Sequence, residues 1–196
     1  MAAAAAFALP PRASALIDAA GRGDLPALRS ARDAEGRKAA LASAQVGRQA
    51  AAVRPIERGA DVNTKDRIQD SVFLLAGARG LTEIVRAARP QADPKVLNRY
   101  GGTALIPACL YDRVETLRAL LEWKGANRVG ANHVNRLGWT ALPEAVILGD
   151  GGPVHTEIAR LLLAHGADHR IADRGGVTPL DHARRHGQAA NLRLMQ

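Results

Sequence analysis

His182 and His186 stand four residues apart with Asp181 beside them, a spacing that can chelate a metal ion from one helix face. A third ligand at compatible spacing is absent, and so is the Glu that a zinc-protease helix requires. Solvated histidines are therefore the expectation. His165 and His169 straddle Gly166, a helix stop, and do not share a face. The run Gly149-Asp150-Gly151-Gly152-Pro153-Val154 precedes a helix, and backbone amides in such a place can hold phosphate. It lacks the Lys-Ser or Lys-Thr ending of a nucleotide loop, so a surface insertion is expected instead. Cys109, the single thiol, follows the small Ala108 and reads as inert core, with no disulfide within the chain. Ser14, Ser30, Ser43 and Ser71 form no nucleophile elbow. The chemistry-bearing residues thus predict no enzyme, no metal and no cofactor.

The elements that carry these residues repeat. Asp33, Asp66, Asn98, Asn135 and Asp173 open five segments spaced 33, 32, 37 and 38 residues apart, and a period of roughly 33 marks a solenoid. Gly at place four and Thr at place six recur as Gly101 and Thr103, Gly138 and Thr140, Gly176 and Thr178. The opening Asp or Asn can bond its own backbone two residues on, and the Gly supplies a left-handed turn position. Thr178, Pro179 and Asp181 then read as cap, first turn and capping box, with caps also expected at Thr103, Thr140 and Ser71. Ala76, Ala108, Ala145 and Ala183 recur at place eleven, where only a small side chain lets helices approach. Phe73, Leu105, Leu142 and Leu180 recur at place eight, each contributing roughly 1.5–3 kcal/mol when buried. Second helices follow around 81–85, 114–121 and 155–163, and Gly59 and Gly166 end two of them.

These motifs resemble the ankyrin repeat family over about residues 14–196, most strongly from Asp66 onward. The fold implied is all-α: an ankyrin repeat solenoid of stacked helix-turn-helix units with short β-hairpin loops. A degenerate repeat occupies 14–32, and full repeats start near 33, 66, 98, 135 and 173. The copy opened by Asp33 has Lys38 at the cap, Ala40 at the packing place and Pro55 inside its second helix, where proline costs ~3 kcal/mol. Extra residues are expected within 124–130 and within 149–154. Residues 1–13 read as a disordered tail or the remnant of an export signal, since Ala2 to Leu9 is apolar and Ala13-Ser14-Ala15 follows, without a basic first region. The location expected is cytoplasmic as written, and periplasmic if that remnant is a truncated signal.

The chain carries a net charge of +8, from four Lys and 23 Arg against 19 acidic residues, with 47% hydrophobic but only 3% aromatic residues. It has no apolar run long enough to span a bilayer. Place two of four successive copies is Arg: Arg67, Arg99, Arg136 and Arg174. Stacking would rank these tips at about 10 Å spacing. They are either solvated or face an acidic partner, with Tyr100 and Trp139 as aromatic anchors of the kind enriched in interface hot spots. Trp139 has no evident core partner. Reversing Arg99 and Arg136 to Glu is expected to leave stability nearly unchanged.

The resemblance implies binding of another protein through hairpin tips and the concave face of the first helices. Carried over by position, the partner-binding residues are Arg67, Arg99, Tyr100, Arg136, Leu137, Trp139 and Arg174 at the tips. Leu110, Tyr111, Ile147, Leu148, Arg185 and His186 occupy the first-helix ends. The Asn98–Thr103 and Asn135–Thr140 runs look like those of small bacterial single-domain ankyrin proteins with no settled activity. The expected function is a monomeric, non-catalytic protein-interaction scaffold. The alternative is non-specific nucleic-acid or polyanion binding through the Arg row, disfavoured because acidic residues are interspersed and no groove-reading helix is evident.

Overall fold

The computed structural model describes residues 39–126 and 128–196, with Ala15, Asp18, Ala19 and Arg22 ahead of them. The opener Asp33, Lys38 and most of the degenerate repeat lie outside the described residues. Five helix pairs follow in order. They are α1 (Ala39–Gln45) with α2 (Gln49–Glu57), α3 (Val72–Arg79) with α4 (Thr82–Ala88), and α5 (Leu105–Leu110) with α6 (Val114–Leu121). The last two are α7 (Ala141–Ile147) with α8 (Pro153–Ala164), and α9 (Pro179–Arg185) with α10 (Ala189–Leu194). A 3-10 turn, Arg89–Gln91, extends α4.

Each helix packs on its partner and on its counterpart in the next pair, so first helices form one row and second helices another. Short pairs of this kind cannot bury an apolar face alone, and stacking makes one continuous core. Leu105 and Leu142 are fully buried in a single cluster that also holds Phe73 and Cys109, and Leu180 packs partly buried against it. Ala76, Ala108, Ala145 and Ala183 are all buried at the approach between rows. Contact is close enough that a Cβ on Gly77 of α3 would stand 2.5 Å from the Ala104 carbonyl oxygen ahead of α5.

Two of the expected caps form as hydrogen bonds and two do not. Ser71 Oγ accepts from the Leu74 N–H, and Thr178 with Asp181 makes the full capping box. Thr140 stands at the start of α7 without a side-chain cap, because the residue three places on is Pro143, which has no N–H to give. Thr103 makes no cap either, because α5 starts only at Leu105 and Ala104 takes the cap position. Both hydroxyls are buried without a partner among the described residues.

The hairpins are tight turns, and no strand occurs among the described residues. Asn98 N–H donates to the Gly102 carbonyl, Asn135 to Trp139 and Asp173 to Val177, each at 2.9 Å, while Asp66 donates to Asp70 at 2.8 Å. The opener's side chain then accepts from the backbone two and four places on, as Asn98 Oδ1 does from Tyr100 and Gly102. That network closes the tip within five residues and leaves no extended pair to build a ladder. Gly59 and Gly166 end α2 and α8 with φ of 86° each, as expected. Pro55 lies buried inside α2, which continues past it to Glu57. The two insertions occupy the 122–134 connection and the 148–152 loop between α7 and α8. No described helix is long and apolar enough to cross a membrane.

Candidate functional site

The tip arginines form an ordered row in which most guanidinium groups are engaged. Arg136 Nη1 donates to the Arg99 carbonyl at 2.9 Å, and Arg174 Nη2 donates to the Arg136 carbonyl. Arg136 N–H also reaches the Tyr100 carbonyl at 2.9 Å. Each arginine stem crosses the turn glycine of the preceding tip: a Cβ on Gly101 would meet Arg136 Cγ at 2.9 Å, and one on Gly138 would meet Arg174 Cγ at 2.5 Å. Those glycines therefore satisfy two demands, a positive φ of 72° and 89° and room for the neighbouring stem. Arg99 lies 3.8 Å from the Asp70 carboxylate and stacks over the Tyr100 ring at 5.0 Å. Arg67 is exposed and makes no such contact among the described residues. The row thus clasps successive tips through the Arg136 and Arg174 side chains, contacts between repeats that spacing alone did not suggest.

Beside the row, between tips and first helices, lies a cleft of about 280 Å³. Tyr100 and Leu137 come to it from two tips, Tyr111 from the end of α5, and Leu148 from the end of α7. Each of these four is about half exposed, and their gathering around one concavity, rather than the exposure of any one, is what marks the place. Trp139 forms another wall, half-buried, so its ring has a place that the sequence did not reveal. Of the sequence-predicted residues, Arg99, Tyr100, Leu110, Tyr111, Leu137, Trp139 and Leu148 share this cleft, whereas Arg67, Arg136, Ile147 and Arg174 do not line it. Arg185 and His186 are exposed at the end of α9.

Two carboxyls of the cleft lay outside the sequence reading. Glu144 of α7 is only 5% exposed, its Oε2 has no hydrogen-bond partner among the described residues, and burial pushes its carboxyl up to about 7. Asp70 is also raised by burial, which outweighs the lowering effect of Arg99. A signal for Glu144 existed in the sequence: place ten reads Leu75, Pro107, Glu144 and His182, so it is the one acid in a column without pattern.

The residues with apparent chemistry resolve into structure. His182 Nε2 hydrogen-bonds Asp173 Oδ2 at 2.7 Å and is mostly buried, so it is not solvated as expected; it ties α9 to its own tip. His155 sits between Asp112 and Asp150, at 2.9 and 2.8 Å, and pins the 148–152 loop to the end of α5. In that loop the Asp150 carboxylate accepts from the Gly152 N–H at 2.7 Å, and this bond and His155 hold it below the usual carboxylate range. A carboxylate of the chain itself therefore occupies the place a phosphate would take. Gln188 Nε2 closes the other side, donating to the Val146 and Gly149 carbonyls. Cys109 is buried, and its thiol is pushed well above the ordinary value by desolvation and then by Glu144. No group of three or more metal-ligating side chains assembles among the described residues.

Comparison with known proteins agrees with this architecture. The family model for ankyrin repeats (3 copies) matches residues 73–173. The ankyrin repeat protein YahD of Escherichia coli (strain K12) is 36% identical over 154 residues, covering 76% of this chain and 74% of that one. The B-cell lymphoma 3 protein homolog of Mus musculus is 33% identical over 125 residues, 63% of this chain but 27% of the mouse protein. Among solved structures, an ankyrin repeat domain from Acinetobacter baumannii AYE superposes with a TM-score of 0.82 at 45% identity, covering 92% of this chain and 95% of that one. A second solved ankyrin repeat protein gives 0.81 at 33% identity, covering 95% and 98%.

Proposed function

The chain belongs to the ankyrin repeat family, whose repeats generally mediate protein–protein interaction, and from that premise we propose that it is a non-catalytic module holding a protein partner in the cleft beside its hairpin tips. The observation that carries this reading is the gathering of Tyr100, Tyr111, Leu137 and Leu148, all about half exposed, around Trp139 in one concavity. Interfaces draw their affinity from such aromatic and apolar anchors at the centre, with charges at the rim setting encounter rate and register. Arg67, Arg99, Arg136 and Arg174 supply that rim and favour an acidic partner surface. Because Arg136 and Arg174 spend part of their donor capacity on neighbouring tips, their contribution is mainly electrostatic.

Capture from the native host, quantified by mass spectrometry, tests the cleft and the rim separately. Leu137→Asp should abolish recovery of the partner while its urea midpoint stays near the parent, and Arg99→Gln should weaken recovery in a salt-dependent way. Equal recovery by parent and Leu137→Asp would refute the reading.

A further inference from the structure

Charge in the cleft does not balance. Asp70 and Arg99 lie 3.8 Å apart and offset one another, and Arg99 is further held over the Tyr100 ring. Among the described residues Glu144 has no cationic partner, and its Oε2 is buried without a hydrogen bond. A buried polar oxygen without a partner costs free energy that Gln or an apolar residue would avoid, and such groups mark places where something else supplies the bond. An anion would be repelled there. An apolar group would leave the oxygen orphaned, and a neutral donor would satisfy the bond but leave the charge uncompensated. A cation on a long aliphatic stem answers each demand, because its head pairs with the carboxylate while its methylenes cover apolar walls. Tyr100, Tyr111 and Trp139 line the same space, and aromatic faces attract cations.

We infer that the cleft receives a lysine side chain of the partner polypeptide, its ammonium directed to Glu144 and its stem lying among Trp139, Tyr100 and Tyr111. A compact ammonium can pair with one orphaned oxygen, which here is Oε2 alone, whereas the planar fork of arginine calls for both oxygens of a carboxylate presented in parallel. The bound segment then has a mixed signature, one lysine set among acidic residues that face Arg99 and the neighbouring tips. This inference rests on the proposed interaction surface and names what that surface selects.

Selection from a random peptide library on the full chain and on Glu144→Gln tests it. The parent should enrich lysine at one position, and the variant should lose that enrichment. In the best parent-selected peptide, replacing the lysine with norleucine should weaken binding to the parent by about tenfold or more and to Glu144→Gln by less than about twofold. Peptides retained equally by both proteins, or a parent pool with no lysine preference, would overturn the lysine inference and leave the interaction surface standing. Retention of no peptide by the parent would overturn the surface and the inference together. A urea midpoint for Glu144→Gln at or above that of the parent shows that loss of selection is not loss of fold.

Discussion

Replacing Glu144 with Gln should make folding stability far less sensitive to pH. Burial lifts this carboxyl from an ordinary 4.5 to about 7. The native protein therefore retains a proton that the unfolded chain has released, and stability falls as pH rises between those two values, then stays low above them. At 1.36 kcal/mol for each pH unit, the full window corresponds to about 3 kcal/mol. Roughly 2–2.5 kcal/mol of it lies between about pH 5 and about pH 8. Gln keeps the size and cannot ionise, so the variant should lack this loss. The comparison is clean because the other perturbed groups are present in both proteins. Asp150, Asp168, Asp173 and Asp181 are held below the usual range, so their contribution is lost only as pH falls through their lowered folded-state values, outside the interval. Asp70 acts in the same direction as Glu144 but cancels in the difference. Urea unfolding of both proteins at the two pH values gives the result directly. With slopes of roughly 1–3 kcal/mol per molar urea, the gap between midpoints should widen by about 1–2 M toward high pH. Parallel behaviour of the two proteins, or a variant less stable than the parent near pH 8, would refute the claim that this carboxyl is desolvated and unpaired.

Gly138→Ala should cost about 2–4 kcal/mol, since a methyl there meets the Arg174 stem and also suffers the positive φ, whereas Gly176→Ala faces only the dihedral penalty of about 1–2 kcal/mol. Denaturant midpoints of the two single variants check the contrast. Thr178→Val should lose about 1–2 kcal/mol with its capping box, while Thr140→Val, which removes a hydroxyl that has no partner, should be neutral or stabilising in the same assay. Random DNA duplexes in a mobility-shift titration across salt should show no complex near physiological ionic strength, and a complex persisting there with a steep salt slope would favour the polyanion alternative.

Much of this molecule is legible in its sequence, for reasons that are local. Openers such as Asn98 and Asp173 bond within their own turn, Ser71 and Thr178 reach three residues on, and Leu105 and Leu142 follow at a fixed distance. The inactive cap at Thr140 was also readable, since Pro143 declares its missing donor, yet the repeat pattern at place six outweighs it. What spacing could not reveal is contact between repeats. The seating of Arg136 on Gly101, the clamp of His155 between Asp112 and Asp150, and the place of Glu144 in the wall of a cleft shared by three repeats all depend on how one unit lies against another. The same reason explains Trp139, whose surroundings come from tip and helix residues far apart in the chain.

The tip clasp is made to a main-chain carbonyl, so what the next arginine grips is the same whatever side chain the gripped residue bears. Exchanging Arg99 for another residue therefore leaves the anchorage of Arg136 intact, and damage at one junction stops there. Recognition along this edge can drift residue by residue, like letters reset in a fixed frame, while neighbouring units remain fastened.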